Sequence, residues 1–220
     1  MSGDLTSHDD FTVFIVDDDP AVLRGLARLL AAAGHRTRTF ASPEEFLSRH
    51  DPAEPGCAVF DVAMPEVDGL ELQQLLSDSG IDRPIIFVTG QGDIPTSVRA
   101  MRAGAVDFLT KPVGGEALLA AVARARALDA EVRRTRSETA SIEARLATLT
   151  PREREVFLHV VAGRLNKQIA GDLGTVEKTI KVHRGRMMSK LGVRTVQDLV
   201  RLAERAGIRP RRQDGRPGDA

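Results

Sequence analysis

Four apolar runs in the first half of the chain each end in a residue that could do chemistry. Residues 11–16 lead into Asp17-Asp18-Asp19, and residues 57–60 lead into Asp61. Residues 84–88 lead into Thr89-Gly90, and residues 106–109 into Thr110-Lys111-Pro112. As parallel strands of one open sheet, these runs would share a carboxyl-terminal edge, where α/β sheets place their ligands. Carboxylates, a hydroxyl and an ammonium would then meet, with Asp61 in the middle. Bare carboxylates that close repel and raise one another's pKa. A divalent cation relieves the conflict, and an all-oxygen site of this kind suits Mg²⁺, which keeps waters and accepts phosphate oxygens. Lys111 adds positive charge and Thr89 a hydroxyl donor. Together these parts can handle a phosphoryl group, with one carboxylate attacking phosphorus in line.

Two arrangements use such parts. A haloacid-dehalogenase-type phosphatase would take Asp17 of Asp17-Asp18-Asp19 as nucleophile, with Thr89 and Lys111 in its later motifs. It needs a further acidic pair on a strand after the lysine, which the sequence lacks, and it leaves Asp61 idle. The other arrangement makes Asp61 the phosphoryl acceptor and uses every residue named.

The elements that must position these residues alternate in type. Residues 11–16 are strand-like, and residues 20–33 carry Leu23, Leu26, Leu29 and Leu30 at helical spacing, opened by Pro20 and stopped by Gly34. A short strand at 37–40, a helix start at Ser42-Pro43-Glu44-Glu45 and a strand at 58–61 follow. Next come a helix around 70–76, a strand at 85–88, a helix around 96–103, a strand at 106–109 and a helix from about Glu116. Five β/α units predict a doubly wound parallel sheet with helices on both faces.

The zero net charge of the 220 residues hides an asymmetry. Residues 1–115 carry 9 Lys/Arg against 18 Asp/Glu, whereas residues 149–220 carry 16 against 8. An acidic front suits a cation and a basic back suits a polyanion, so two domains with different partners are expected. No apolar stretch approaches the ~18 residues that span a bilayer, and the first residues are acidic rather than signal-like. The single cysteine, Cys57, excludes an internal disulfide and reads as a small buried strand residue. A cytoplasmic protein without membrane attachment is expected.

Between Glu116 and Leu149 there is no proline or glycine. Ala121, Ala125, Leu128, Val132, Thr135, Thr139, Ile142, Leu146 and Leu149 alternate four and three residues apart, which fits a long linker helix with coiled-coil character. The threonines and Arg133-Arg134-Thr135-Arg136 equally fit a helix that stops on its own sheet and gives way to a loose linker. Beyond it, Thr150-Pro151-Arg152-Glu153 has the form of a capping box with proline at the first helical position. Further helices are expected at about 166–172, 176–191 and 195–204, and a disordered basic tail at 210–220.

The helices at about 166–172 and 176–191 form a helix-turn-helix candidate. Ile180, Met187 and Leu191 share a buried stripe, while Lys178, Lys181, Val182, Gly185 and Ser189 lie opposite. Such a face can offer ammonium donors, an apolar contact for thymine methyls and a close approach. Arg184, Arg186 and Lys190 flank it, better placed for phosphates than bases. There is no Trp or Tyr and only 8 Phe, so no base-stacking platform favours single strands over duplex DNA.

The front domain resembles a response-regulator receiver, carried by Val16-Asp17-Asp18, Asp61-Val62-Ala63-Met64-Pro65, Thr89-Gly90 and Lys111-Pro112. The back domain resembles the LuxR-type helix-turn-helix, through residues 149–156, Gly163, residues 166–170, residues 179–183 and Lys190-Leu191-Gly192-Val193. The chain as a whole is similar to the FixJ/NarL family of two-component regulators. That resemblance implies a flavodoxin-like receiver at 10–127, a helical linker at 128–143 and an all-α DNA-binding domain at 144–209. It implies Asp61 as the acceptor from a sensor histidine kinase. Mg²⁺ would be held by Asp17, Asp18, Asp61 and the backbone carbonyl of Ala63, with Thr89 and Lys111 on the phosphoryl group and Phe108 as an aromatic switch. Lys167, Lys178, Thr179, Lys181, Val182, Arg184, Gly185, Arg186 and Lys190 would meet double-stranded promoter DNA, bound as a homodimer after phosphorylation through a face around Val98 and Arg102. The function implied is a phosphorylation-activated transcriptional regulator rather than an enzyme; a phosphorylation-independent DNA-binding factor with a vestigial receiver is the alternative. Val176 stands where the family often has a capping serine, and Gly185 where it can have a longer side chain.

Overall fold

In the computed structural model, residues 11–90 and 94–208 are described. The expected tail at 210–220 and the first boundary at residue 10 lie outside them. The chain packs as two units that divide between Arg133 and Arg134.

In the first unit, strands β1 (Thr12–Val16), β2 (Arg36–Phe40), β3 (Gly56–Asp61), β4 (Ile85–Thr89) and β5 (Asp107–Thr110) form one sheet in the order β2-β1-β3-β4-β5. All its pairings are parallel. Helices α1 (Pro20–Ala32), α2 (Pro43–Arg49), α3 (Gly69–Asp78), α4 (Ile94–Arg102) and α5 (Gly115–Ala147) connect or follow the strands. The bounds differ from the sequence reading by a residue or two: β5 starts at Asp107 rather than Val106, and α4 starts at Ile94 rather than Thr96.

Alternation along the strands sorts the core into two layers, because successive side chains point to opposite faces. Val13, Ile15, Val59, Ile86 and Val88 pack with Leu26 and Leu30 of α1 and Leu118, Ala121 and Val122 of α5. Phe14, Val16, Phe60 and Phe87 pack on the other side with Phe46, Leu72, Leu76 and Ala100. β1 and β3, where the chain crosses from one side of the sheet to the other, run buried throughout. Their carboxyl ends open the crevice expected at a switch in strand order.

The linker reading resolves in favour of one continuous helix, α5. Its stripe is buried at Ala121 and Ala125 and again at Ile142 and Leu146, but Leu128 is 45 % exposed.

The second unit carries α6 (Pro151–Val161), α7 (Asn166–Asp172), α8 (Glu177–Leu191) and α9 (Val196–Arg205). Thr150 and Glu153 form the expected capping box with Pro151 in the first turn. Ile142, Val156, Phe157, Ile169, Ile180, Met187, Leu191 and Leu199 make its core. α8 begins one residue later than expected. Val176 is its extended N-cap and makes no side-chain cap, having no acceptor to offer. Gly192 ends α8 in the left-handed region, where a side chain would be strained.

Candidate functional site

At the carboxyl edge of the sheet, Asp17, Asp18, Asp19, Asp61, Val62, Ala63, Thr89, Gly90, Thr96 and Lys111 line an open cleft of about 400 Å³. Asp17 and Asp61 are buried and Asp18 is exposed, and the three can bring one carboxylate oxygen each within 4.8 Å of one another. Lys111 Nζ reaches across the cleft, 2.7 Å from Asp17 Oδ2 and 2.9 Å from Asp61 Oδ1. Burial pushes the Asp17 carboxyl above its usual range, opposed by the Lys111 hydrogen bond and aided by the neighbouring Asp61 charge. Burial pulls the Lys111 ammonium down, but its hydrogen bonds to Asp17 and Asp61 prevail and leave it raised.

Local structure explains these placements. Asp19 lines the cleft, but its side chain is taken up in capping α1, accepting from the Ala21 N–H at 2.7 Å. The Asp19 N–H in turn donates to Asp17 Oδ1 at 2.9 Å, which fixes the Asp17 carboxylate. Asp68 caps α3 in a reciprocal box with Glu71. The Gly69 backbone then presses on β3: a Cβ there would lie 2.3 Å from the carbonyl oxygen of Asp61. Glu66, between them, adopts φ 65° without being glycine. Phe108 is half-buried, its ring 6.3 Å from that of Phe87. Thr96 of α4 was not singled out from the sequence, since no apolar strand points to it; it reaches the cleft only because α4 follows β4.

In the second unit α8 presents the expected face. Lys178, Lys181, Val182, Gly185 and Arg186 are exposed, as is Lys167 on α7, and Thr179 is half-buried. Three of the basic residues are engaged within the domain, Lys181 through an ion pair with Glu177 at 3.2 Å. Arg184 Nη1 donates to Asn166 Oδ1 at 3.0 Å, tying α8 to α7. Lys190 Nζ donates to Glu153 Oε2 at 2.6 Å and to the Thr148 carbonyl at 3.0 Å. The Lys190 ammonium and the Thr150 backbone N–H hold the Glu153 carboxyl down at about 2. His183 is half-buried beside the stripe.

A doubly wound sheet with a carboxylate–lysine cleft, followed by a basic helix-turn-helix, defines a two-domain regulator with an input site and a nucleic-acid-binding output. Comparison with known proteins agrees. Residues 13–123 match the response regulator receiver domain, and residues 147–203 match the bacterial regulatory proteins of the luxR family. The response regulator protein TmoT of Ectopseudomonas mendocina is 43 % identical over 193 residues, covering 88 % of each chain. The transcriptional regulatory protein FixJ of Rhizobium meliloti is 40 % identical over 205 residues, 91 % of this chain and 98 % of FixJ. The solved structure of the response regulator StyR superposes with a TM-score of 0.79 at 45 % identity, over 89 % of this chain and 98 % of that one. The chain belongs to the two-component response regulators that carry a LuxR-type DNA-binding domain. Its receiver implies a histidine kinase partner and its second domain implies DNA. No helix among the described residues is long and apolar enough to cross a membrane.

Proposed function

We propose that Asp61 is the phosphoryl acceptor of this regulator and that its phosphorylation raises the affinity of a dimer for promoter DNA. The observation that carries this reading is Lys111, bridging Asp17 and Asp61 beside a trio of carboxylates able to share a cation. The donor set is all oxygen and carboxylate-rich, which fits Mg²⁺. Asp17, Asp18, Asp61 and the Ala63 carbonyl would hold it, and when bound it neutralises phosphoryl oxygens.

An Asp61 oxygen attacks phosphorus of a kinase phosphohistidine in line. The O–P bond forms as the P–N bond breaks, and the imidazole nitrogen keeps the electron pair. Lys111 balances charge on the product, and Thr89 donates its hydroxyl to a phosphoryl oxygen. As Thr89 moves, Phe108 turns inward. A phosphoryl group shifts the domain only by favouring one of two states, and this pair supplies the difference. Ile94, Val98 and Met101 stand exposed along α4, which supports pairing of receivers there. Lys167, Lys178, Thr179, Lys181, Val182, Gly185 and Arg186 face the duplex, with Arg184 and Lys190 bracing the fold at its margin.

Acetyl phosphate with Mg²⁺ should label the protein and raise its operator affinity in footprints, and Asp61→Asn should abolish both. Equal affinity with and without label would favour a phosphorylation-independent factor instead. Sustained release of phosphate would favour a phosphatase.

A further inference from the structure

The amino-terminal edge of the sheet, opposite the cleft, holds a second charged cluster that phosphoryl chemistry does not use. The loop between α2 and β3 offers its carbonyl oxygens to two guanidinium groups. Arg83 Nη2 donates to the carbonyls of Asp51 at 2.8 Å and Glu54 at 3.3 Å. Arg133 Nη1 donates to the Ala53 carbonyl at 2.7 Å and Nη2 to that of Glu54 at 2.6 Å. Arg133 Nε is bound to Asp129 Oδ2, one turn earlier on α5, at 2.8 Å. The Glu54 carboxylate accepts from Thr12 Oγ1 at 2.6 Å and Arg38 Nη1 at 2.9 Å, fixing the loop to β1 and β2. Arg83 lies buried against the Phe14 ring, 4.3 Å from its centroid.

Apolar packing does not explain why α5 stays on the receiver this far. Between Ala125 and Ile142 no apolar residue of the helix is buried. The match to the receiver family ends at residue 123, yet the first unit extends to Arg133. What spans the difference is polar. Arg133 uses all three of its nitrogens, in charge-assisted bonds about twice as strong as neutral ones, and Asp129 is buried beneath it.

We propose that Arg133, oriented by Asp129, is a positioning residue: it latches α5 to the 51–54 loop and makes residue 134 the point from which the helix leaves the receiver. The state of the receiver is then passed on through a helix whose start is fixed, rather than through a slack tether. Arg83 holds the same loop from beneath.

Amide hydrogen exchange on the full-length chain tests this with three variants. Arg133→Ala should raise exchange about tenfold at Ala53, Glu54 and residues 128–134, as expected for a local opening, and leave β1, β3 and Asp61 unchanged. Arg133→Lys should behave as Arg133→Ala does, since one ammonium cannot span two carbonyls and Asp129. Arg134→Ala, which removes an exposed partner of Glu138, should change neither segment. With acetyl phosphate, Arg133→Ala should label at the wild-type rate while the ratio of operator affinities, labelled over unlabelled, shrinks toward one. No rise in the loop, the same rise in Arg134→Ala, a rise spread over the whole sheet, or an undiminished affinity ratio would each overturn the latch. The exchange measurement reads it even if phosphorylation leaves DNA affinity unchanged in the wild type, so this inference and the proposed function fail separately.

Discussion

Lys111 Nζ lies 2.9 Å from Asp61 Oδ1 although β4 separates their strands in the sheet. The side chain reaches over the end of β4, past Thr89, so the proposed acceptor is ion-paired before any phosphoryl group arrives. Removing the ammonium leaves two buried carboxylates facing each other and strips the product of a counter-charge. Lys111→Ala should lower the initial rate of labelling by acetyl phosphate by about a hundredfold, the scale of losing one preorganised donor at developing negative charge. Labelling with radioactive acetyl phosphate measures it, and a rate within a factor of about two of wild type would remove Lys111 from the chemistry.

Gly69 packs hard against the end of the acceptor strand. A methyl group there would meet backbone, the Asp61 carbonyl at 2.3 Å, and not the yielding end of a side chain. Gly69→Ala should therefore destabilise the receiver by about 1–3 kcal/mol, the usual range for overpacking. It should also slow labelling by displacing Asp61. Urea denaturation of the receiver signal checks the first, with the helical domain as an internal reference.

These placements differ in how far the sequence discloses them. Asp17, Asp61, Thr89 and Lys111 can be read from the ends of apolar runs, because strands of a parallel sheet deliver their carboxyl ends to one edge. The capping box at Thr150 is equally local, spanning four residues. Arg133, Arg184 and Lys190 are different. Their partners lie far off in sequence, at Glu54, Asn166 and Glu153, and no local pattern separates a side chain that braces the fold from a solvated basic residue. A helical projection reads Lys190 and Arg184 as phosphate contacts and does not disclose that they also brace the fold. The middle of α5 was equally opaque, since its threonines and arginines interrupt the apolar stripe, and polar pairs such as Arg134–Glu138 stand in its place.

The Glu153–Lys190 pair has a pH signature. Glu153 is held at about 2 in the folded domain, against 4.5 ordinarily. A carboxyl with a depressed folded pKa binds fewer protons folded than unfolded in that window, so it stabilises at higher pH. Its contribution is fully present above about 4.5 and is lost as pH falls toward about 2. Urea midpoints of the helical domain should fall across that window in the wild type and fall less in Glu153→Gln. Parallel curves for the two proteins would place the acid sensitivity elsewhere.

Lys178 and Lys190 should separate on DNA. Lys178 is exposed on the outward face of α8, whereas Lys190 is already bound to Glu153 and the Thr148 carbonyl. A lysine that neutralises a phosphate releases a counterion, so losing it weakens binding across sequences and lowers the salt slope by about 1. Lys178→Ala should do this without changing the stability of the domain. Lys190→Ala should leave Glu153 buried without its cation and lower stability, which removal of one partner of a buried pair does strongly. Its salt slope, measured on the fraction that remains folded, should match the wild type. Titrations of a promoter fragment at several salt concentrations, beside urea denaturation of each variant, give both quantities. A reduced slope in Lys190→Ala at unchanged stability would return that residue to the DNA face and make its bond to Glu153 incidental.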